Sequence, residues 1–493
     1  MIRVSEHIKH EGIKSWNDGD IVTIEAGTGA GKSYFIKNML YSHAEKNHKK
    51  ILFLIHRSNC ITQFQKEIEK DKKTNTIHIK TYQSLEALYR NNRQFDFSPY
   101  QYIVCDEFHY FMSDATFNKF TDMSLNAILE ESKSTRIFMS ATGDYMERYI
   151  TGYKKLNVID YKLPINYSFI KTLTFYNKDD SLHDFMKQAI DQNIKSIFFI
   201  ENAEKAYSLY KKYEEYCIFN CSKGNKKYYK YVDEEKINGL LEKERFEELI
   251  LITTTVMDAG VNIKDLDLTH VICDVKDIDT LIQCIGRKRI QNKNDKIHLT
   301  IKTINNKSLG GTLTQLNKKF EMAMYLRNNS VIKYIEKYPR DYDRWSIVYT
   351  DVVEGHNDKA TLKINKLMYF KCLMDYNKIE SMLNNYKEFG YCKYLAHKFG
   401  FFDQDDNMYT YGVYEEDNNK MNLEDYLKSI TGKKLLKNDQ SELIEKIDLR
   451  VNGRQQKSYK KLNEGLEMIK LPFVILPKRT SNERYWILEQ IEK

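Results

Sequence analysis

The chain has 493 residues, a formal net charge of +8 and a hydrophobic fraction of 42%. At roughly 100–200 residues per domain, this length predicts about three domains. With a mean hydropathy of -0.61 and no apolar run of about 18 residues, we expect no membrane-spanning helix, and the polar start predicts no secretory signal. The mild positive charge is compatible with a polyanionic partner but does not require one, because an AT-rich coding bias toward Lys, Asn and Tyr explains the composition equally well.

The eight cysteines are scattered along the chain. There is no Cys-x-x-Cys pair, and the one close pair, Cys217 and Cys221, cannot complete a four-ligand zinc site. This inventory is typical of a reduced intracellular protein and excludes a disulfide-stabilised scaffold.

Short apolar runs alternate with amphipathic stretches over roughly the first 300 residues. Strands are predicted at 21–24, 51–55, 77–79, 102–105 and 137–139, with helices between them, and a second series follows at 196–200, 249–253, 271–274 and 297–300. The alternation pauses near residues 160–164. This pattern predicts two α/β units, each with a parallel sheet covered on both faces by helices.

Beyond residue 303 the chain is largely helical, and it ends in two predicted strands at 473–476 and 484–488. The expected division is therefore 1–163, 164–303 and 304–493. Residues 431–480 are enriched in Lys and Arg. Helices followed by a hairpin predict a winged-helix-like module that binds nucleic acid, and a helical domain with a solvated basic face is the alternative.

A glycine-rich segment follows the first predicted strand and opens a helix. Its sequence places backbone N–H groups around phosphates at a helix N-terminus, with Lys32 reaching the β- and γ-phosphates and the Ser33 hydroxyl on Mg²⁺. Ala26 stands where the first glycine of the usual P-loop pattern belongs. The residues predicted to bind the nucleotide here are Gly27, Thr28, Gly29, Ala30, Gly31, Lys32 and Ser33.

An acidic pair, Asp106 and Glu107, comes directly after the strand at 102–105, and His109 completes a DExH sequence. A carboxylate at the end of a buried strand beside a P-loop can hold Mg²⁺, and the next one can deprotonate the attacking water. Ser140-Ala141-Thr142 ends the following strand. In the second unit, 253–263 and 283–289 each follow a strand, and Arg287 is placed to act as an arginine finger.

Taken together and in this order, these motifs resemble those of the superfamily 2 DEAD/DEAH-box helicases, in the DExH form, over roughly residues 20–300. The resemblance implies an α/β fold of two tandem RecA-like P-loop NTPase lobes with ATP and Mg²⁺ in the cleft between them. It also implies a single-stranded or duplex nucleic acid lying across both lobes. The chain is also similar to helicases encoded by bacteriophages and bacterial mobile elements. This similarity predicts a cytoplasmic location in a bacterial or phage-infected cell.

By the same resemblance, Lys32, Asp106, Glu107, Gln283 and Arg287 are the expected catalytic residues, and Ser33 and Asp106 are the metal ligands. Gly260, Asn262 and Arg287 face the nucleotide. His109, Ser140 and Thr142 couple hydrolysis to lobe movement, with His109 meeting Gln283 across the cleft. The expected nucleic-acid contacts are Arg57, Thr81, Thr254 and Thr255.

The chain departs from the family pattern in two places. Ile290 stands where motif VI often has its last Arg, with Arg289 one position early, and this favours Arg287 as the finger. No adenine-reading Gln motif precedes Ile21, which argues against a DEAD-box RNA helicase proper. We therefore expect an ATP-dependent helicase or translocase, on DNA rather than RNA and with 3′-to-5′ polarity. An ATPase that remodels complexes without unwinding, an RNA helicase and a non-catalytic scaffold are the alternatives.

Overall fold

The computed structural model describes residues 3–56, 58–116, 118–257, 261–339, 347–353, 356–414, 423–447, 449–451, 454–468, 471–480 and 483–491. The chain forms two compact units, residues 1–414 and residues 415–493. None of the helices in these ranges combines the length and the hydropathy that a bilayer crossing needs.

The first parallel sheet lies in the N-terminal part of the larger unit. Its strands are β1 Ile21–Glu25, β2 Ile51–Ile55, β3 Ile77–Thr81, β4 Tyr102–Asp106, β5 Thr135–Ser140 and β6 Ile159–Lys162. They are arranged in the order β3-β2-β4-β5-β1-β6, and every neighbouring pair is parallel. The helices around this sheet are α1 Val4–Lys14, α2 Lys32–Tyr34, α3 Tyr41–Lys46, α4 Ser58–Lys70, α5 Tyr82–Arg90, α6 Tyr110–Ser113, α7 Thr121–Glu130 and α8 Asp144–Arg148, with π-helical turns at Phe35–Leu40 and Tyr149–Tyr153.

A second parallel sheet follows. Its strands are β7 Ile170–Tyr176, β8 Ser196–Ile200, β9 Cys217–Asn220, β10 Ile250–Thr253, β11 His270–Asp274 and β12 Ile297–Lys302. Strands β8, β9 and β10 are buried along their whole length, as expected for near-continuous apolar runs covered on both faces. The helices are α9 Ser181–Asp191, α10 Ala203–Lys212, α11 Lys226–Tyr229, α12 Glu234–Lys243 and α13 Ile278–Ile285.

The rest of the larger unit packs on both sheets. Its elements are α14 Asn306–Asn328, α15 Val331–Lys337, β13 Val348–Val353, β14 His356–Ile364, α16 Lys366–Tyr386, α17 Gly390–Phe399, β15 Phe402–Asp403, β16 Met408–Tyr409 and β17 Gly412–Tyr414. Strand β17 pairs in parallel with β7 and completes a second sheet of order β17-β7-β12-β11-β8-β10-β9. Helix α16 joins the two lobes, since Leu367 and Phe370 belong to an apolar core of the first lobe and Met382 belongs to one of the second.

The smaller unit contains α18 Leu423–Ile430, β18 Lys434–Leu435, α19 Lys437–Ile447, β19 Arg450–Val451, β20 Arg454–Gln455, α20 Tyr459–Met468, β21 Phe473–Arg479 and β22 Arg484–Gln490. Its antiparallel sheet has the order β18-β22-β21. Leu427, Leu443, Leu462 and Ile475 form the centre of its own core. Helices leading into a terminal hairpin are the arrangement expected of a winged-helix-like module.

The predicted pair of RecA-like lobes is confirmed by the two parallel sheets. The pause predicted near residue 160 is wrong, because residues 159–162 form β6, a sheet-edge strand with alternating burial. Strands β7, β9 and β17 were not predicted either. The expected boundaries after residues 163 and 303 fall just beyond β6 and β12, but the compact units divide at residue 414, since β17 lies in the second sheet.

Two stacked histidines make the stability of the second lobe dependent on pH. His270 and His298 are register partners on β11 and β12, with ring centroids 4.6 Å apart. Burial and the charge of His298 lower the pKa of His270 to about 4. Burial and Lys171 lower the pKa of His298 as well. The folded lobe therefore resists protonation that the unfolded chain accepts, and stability present above about pH 6.5 is lost as the pH falls toward 4.

We expect His270→Phe, which keeps the stacked ring and removes the titration, to lose less stability than the wild type between pH 7 and pH 5. After allowing for the partial exposure of the pair, the difference should be about 1 kcal/mol. Urea midpoints of both proteins at the two pH values measure it. Equal losses would show that the titration of His270 does not contribute.

Candidate functional site

The carboxyl ends of β1, β4 and β5 meet at one edge of the first sheet. Glu25 at the end of β1 is the register partner of Ser140, and Asp106 at the end of β4 is that of Met139. The Ala26 N–H donates to the Ser140 carbonyl over 3.0 Å. The glycine-rich segment, the acidic pair and the Ser-Ala-Thr segment are therefore neighbours, as parallel-sheet topology requires.

The glycine-rich segment has the backbone of a phosphate-binding loop. Gly29 and Gly31 have φ values of 88° and 85°, in the left-handed region that favours glycine. Lys32 is buried, and its ammonium donates to the Ala26 carbonyl over 2.7 Å. Burial lowers the pKa of Lys32, although Glu107 and Asp106 oppose this effect. The buried Lys32 ammonium thus has only loop carbonyls as hydrogen-bond acceptors and lies near two carboxylates. The phosphate oxygens of a triphosphate would be stronger acceptors, so this arrangement is suited to binding one.

The acidic pair contains a strained residue. Glu107 has φ 49°, which is uncommon for a residue with a side chain and frequent at functional sites. Burial, reinforced by the charge of Glu107, raises the pKa of Asp106 to about 7. Burial would also raise the pKa of Glu107, but the hydrogen bond with His109 and the charge of Lys32 outweigh it and hold that pKa well below its usual range. The two adjacent carboxyls thus differ in their proton affinity.

A hydrogen-bonded chain links this pair to the second lobe. The Ser140 hydroxyl donates to Glu107 over 3.4 Å, and His109 Nδ1 lies 2.8 Å from the same hydroxyl. The Gln283 amide on α13 is 2.9 Å from His109 Nε2 and 3.2 Å from the Thr142 hydroxyl. With the Gln283 amide donating, His109 carries its proton on Nδ1 and donates to Ser140. The structure thus places His109 against Gln283, as the resemblance implies.

The two arginines after α13 have different surroundings. Arg287 donates to the carbonyls of Gln283 and Val261, at 3.0 and 3.3 Å, in its own lobe. The Nε atom of Arg289 donates to Asn262 over 2.6 Å, but its Nη1 atom is buried and has no hydrogen-bond partner among the residues that the structure describes. That atom lies 3.4 Å from the position that a Cβ would take on Gly29 of the first lobe. This geometry does not support the expected preference for Arg287 as the finger.

A cavity of about 590 Å³ is lined by residues of both lobes. Among the described residues predicted to bind the nucleotide or to act in catalysis, Ala30 and Gln283 do not line it. It is also bordered by Arg3, Asn166 and Phe169, which the sequence analysis missed. Residues 166 and 169 lie between β6 and β7, where no motif marks them. The predicted residues that line the cavity are Gly27, Thr28, Gly29, Gly31, Lys32, Ser33, Asp106, Glu107, Asn262 and Arg287.

No group of three or more His, Cys, Asp or Glu side chains suited to a metal occurs among the described residues. Ser33 and Asp106 nevertheless both line the cavity. Mg²⁺ bound to a nucleotide typically takes one or two protein oxygens and completes its shell with phosphates and water. A hydroxyl and a carboxylate therefore fit the predicted Mg²⁺ site.

The structure describes only some of the residues predicted to contact nucleic acid. Arg57, and Gly260 from the nucleotide set, lie outside the described residues. The Thr81 hydroxyl accepts from the Ser84 N–H over 2.9 Å and caps α5. Thr254 and Thr255 follow β10 directly, and Thr254 is buried.

Residues 2–144 match the family model described as the Res subunit of type III restriction enzymes. This range contains the glycine-rich segment, the DExH sequence and the Ser-Ala-Thr segment. Together with the two-sheet fold, the match confirms the predicted resemblance to superfamily 2. The chain matches no curated protein.

Several solved structures are similar at low identity. Dbp5 of S. cerevisiae bound to RNA and ADP BeF3 is 17% identical, with a TM-score of 0.44 over 58% of this chain and 79% of that chain. The Escherichia coli DEAH/RHA helicase HrpB is 14% identical, with a TM-score of 0.45 over 60% of this chain and 42% of that chain. Mycobacterium smegmatis Lhr bound to ssDNA and AMP-PNP is 12% identical, with a TM-score of 0.42 over 61% of this chain and 46% of that chain.

Proposed function

We propose that this chain is an ATP-hydrolysing nucleic-acid motor, a helicase or translocase of the superfamily 2 type. The observation that carries the proposal is the cavity in which phosphate-binding residues of the first lobe face two arginines of the second. Such a site is complete only when the lobes are together. ATP binding would therefore favour the closed arrangement, and hydrolysis would release it.

Each group in the cavity has a role in this proposal. Lys32 and the loop N–H groups bind the phosphates, and Ser33 and Asp106 hold Mg²⁺, which when bound neutralises phosphate charge. Glu107 orients the attacking water and accepts its proton, because it is held ionised beside Lys32 and His109. Arginine from the second lobe stabilises the charge that develops on the γ-phosphate.

The series of hydrogen bonds from Glu107 through Ser140 and His109 to Gln283 couples these steps to movement. The bonds of Gln283 with His109 and with Thr142 join the second lobe to the first. Opening the cleft would separate Gln283 from His109 and remove a donor that fixes the imidazole tautomer. Opening or closing of the cleft would thus change the hydrogen bonding around Glu107, the carboxylate that activates the water.

We further propose DNA as the polymer and 3′-to-5′ movement. The description of the matched family as a restriction-enzyme subunit favours DNA, and the polarity follows the DExH resemblance. We also propose that residues 1–163 and 164–303 form the two lobes and that residues 304–493 form an accessory region. We propose a cytoplasmic location and an origin in a phage or mobile element.

Phosphate release from ATP tests the proposal, measured alone and with single-stranded DNA or RNA. We expect DNA to raise the rate at least tenfold, and Lys32→Ala to abolish it because the phosphates lose their buried cation. Stimulation by RNA alone would contradict the DNA assignment. Stimulation without displacement of an annealed strand or movement along one would identify a remodelling ATPase. No hydrolysis under any condition would contradict the motor itself.

A further inference from the structure

We propose that a buried ion pair between Lys288 and Asp295 positions the arginine finger. The pair sets the register of the short segment that carries Arg289, so that the Arg289 guanidinium enters the cleft. Lys288 and Asp295 are positioning residues, which act through Arg289 and not on the reacting atoms. The inference rests on the proposed function, and it explains how this chain holds an arginine that stands one position early in the motif.

The segment after α13 is held by two backbone hydrogen bonds to Ile263. The Ile263 N–H donates to the Arg287 carbonyl over 2.9 Å, and the Arg289 N–H donates to the Ile263 carbonyl over 2.8 Å. Lys288 is therefore the parallel bridge partner of Ile263. Successive side chains of an extended segment point to opposite sides. A shift of this bridge by one residue would turn Lys288 toward the cleft and Arg289 away from it.

Lys288 lies on the side of the segment that faces the interior of the lobe. Its side chain and that of Asp295 are each 1% exposed, and their charged atoms are 2.7 Å apart. The Lys288 ammonium also donates to the Asp265 carbonyl over 2.6 Å. The other oxygen of Asp295 accepts from the Gln291 N–H over 2.9 Å. The Asp295 carboxylate thus closes the turn that follows Arg289 and ties it to Lys288.

Arg289 lies on the cleft side of the same segment. Its Nε atom donates to Asn262 over 2.6 Å, and its Nη1 atom lies 3.4 Å from the position that a Cβ would take on Gly29. The side-chain amide of Gln291 donates to the Arg289 carbonyl over 2.9 Å. The backbone is therefore fixed on both sides of Arg289, by Lys288 before it and by Gln291 after it.

Stability alone does not require a charged pair at this place. Removing two charges from water is unfavourable, and apolar side chains of similar volume often stabilise a protein equally well or better. A single buried charge without its partner is strongly destabilising. Any register that separated Lys288 from Asp295 would leave such a charge, so the pair excludes the alternative registers and with them the wrong direction of Arg289.

The first test replaces Lys288 with methionine and Asp295 with asparagine in the full chain. The asparagine keeps an acceptor for the Gln291 N–H, and the double variant contains no unpaired buried charge. Its melting temperature should therefore stay close to that of the wild type, whereas Lys288→Met alone should melt at a clearly lower temperature. We expect the kcat for ATP hydrolysis with saturating DNA to fall about tenfold or more in the double variant, because the guanidinium loses its fixed position. The KM for ATP should change only a few-fold.

A second double variant, Lys288→Met with Asp295→Leu, removes the same pair with apolar side chains. It should lose kcat in the same way. If both double variants unfold at a much lower temperature than the wild type, the pair is needed for stability and the proposed register role is wrong.

The control removes an ion pair of the same lobe that lies elsewhere. Lys236 on α12 and Glu248 are 2.7 Å apart, and Lys236→Met with Glu248→Gln leaves the net charge as the first double variant does. Its kcat should equal that of the wild type. An equal loss of kcat in the control would show a general effect of removing ion pairs and would overturn the proposal.

The decisive test repeats the substitutions of Lys288 and Asp295 in an Arg289→Ala protein. If the pair acts through Arg289, the effects do not add, and kcat in the triple variant should match that of Arg289→Ala within about twofold. A merely structural role would lower kcat by the same factor in both backgrounds, and this result would contradict the proposal. Single-turnover hydrolysis of radiolabelled ATP measures these low rates.

The outcomes separate this inference from the proposed function. If the wild type hydrolyses no ATP with any nucleic acid, the proposed function fails and the inference fails with it. If the wild type hydrolyses ATP but the folded double variants keep its kcat, the proposed function stands and the positioning role of the pair is wrong.

Discussion

Glu107→Gln should lower the kcat for ATP hydrolysis by about 10²- to 10⁴-fold, the usual contribution of a general base. The substitution keeps the size of the side chain and removes the charge that His109 and Lys32 stabilise. Because the phosphate-binding loop is untouched, the KM for ATP should stay within a few-fold of the wild type. Steady-state phosphate release at saturating DNA measures both quantities.

The control is Glu130→Gln, which neutralises an exposed carboxylate at the end of α7 in the same lobe. Its kcat should equal that of the wild type. A Glu107→Gln enzyme that retained at least a third of wild-type activity would show that another group accepts the proton.

Arg289→Ala should lower kcat about 10³- to 10⁵-fold, the range found for arginine fingers. Within the described ranges, one buried guanidinium nitrogen of Arg289 has no hydrogen-bond partner, and it lies beside the phosphate-binding loop. Burial, with the charge of Arg287, lowers the pKa of Arg289 to about 9. A phosphate would supply an acceptor for this nitrogen and a negative charge close to the guanidinium.

Arg287→Ala is the matched comparison. Arg287 is bound to two carbonyls of its own lobe, so its removal should lower the melting temperature and should reduce kcat at least tenfold less than Arg289→Ala. If Arg287→Ala lowered kcat more than Arg289→Ala and the protein stayed fully folded, Arg287 would be the arginine finger, as the motif spacing predicts.

Local sequence was sufficient for the first lobe because its chemistry is encoded in short segments. Lys32 and Ser33 follow β1, Asp106 ends β4 and Ser140 ends β5, and the carboxyl ends of parallel strands meet at one edge. The order of the motifs therefore implied their proximity. The contact between His109 and Gln283 was likewise implied by the family resemblance rather than by any local pattern.

Other features depended on packing that no short segment reveals. Strand β6 alternates buried and exposed residues at a sheet edge, and β17 reaches the second sheet from the accessory region. Each pairs with a neighbouring strand, β1 or β7, and neither has a strong local strand signal.

The sequence by itself determined the two-lobed α/β class, the phosphate-binding loop and the acidic pair, because these depend on local hydrophobic patterns and on residues adjacent in the chain. Only the tertiary structure decided which arginine has an open guanidinium in the cleft. Arg287 and Arg289 are two residues apart, and the difference between them arises from the carbonyls, the amide and the loop that surround each side chain in the folded protein.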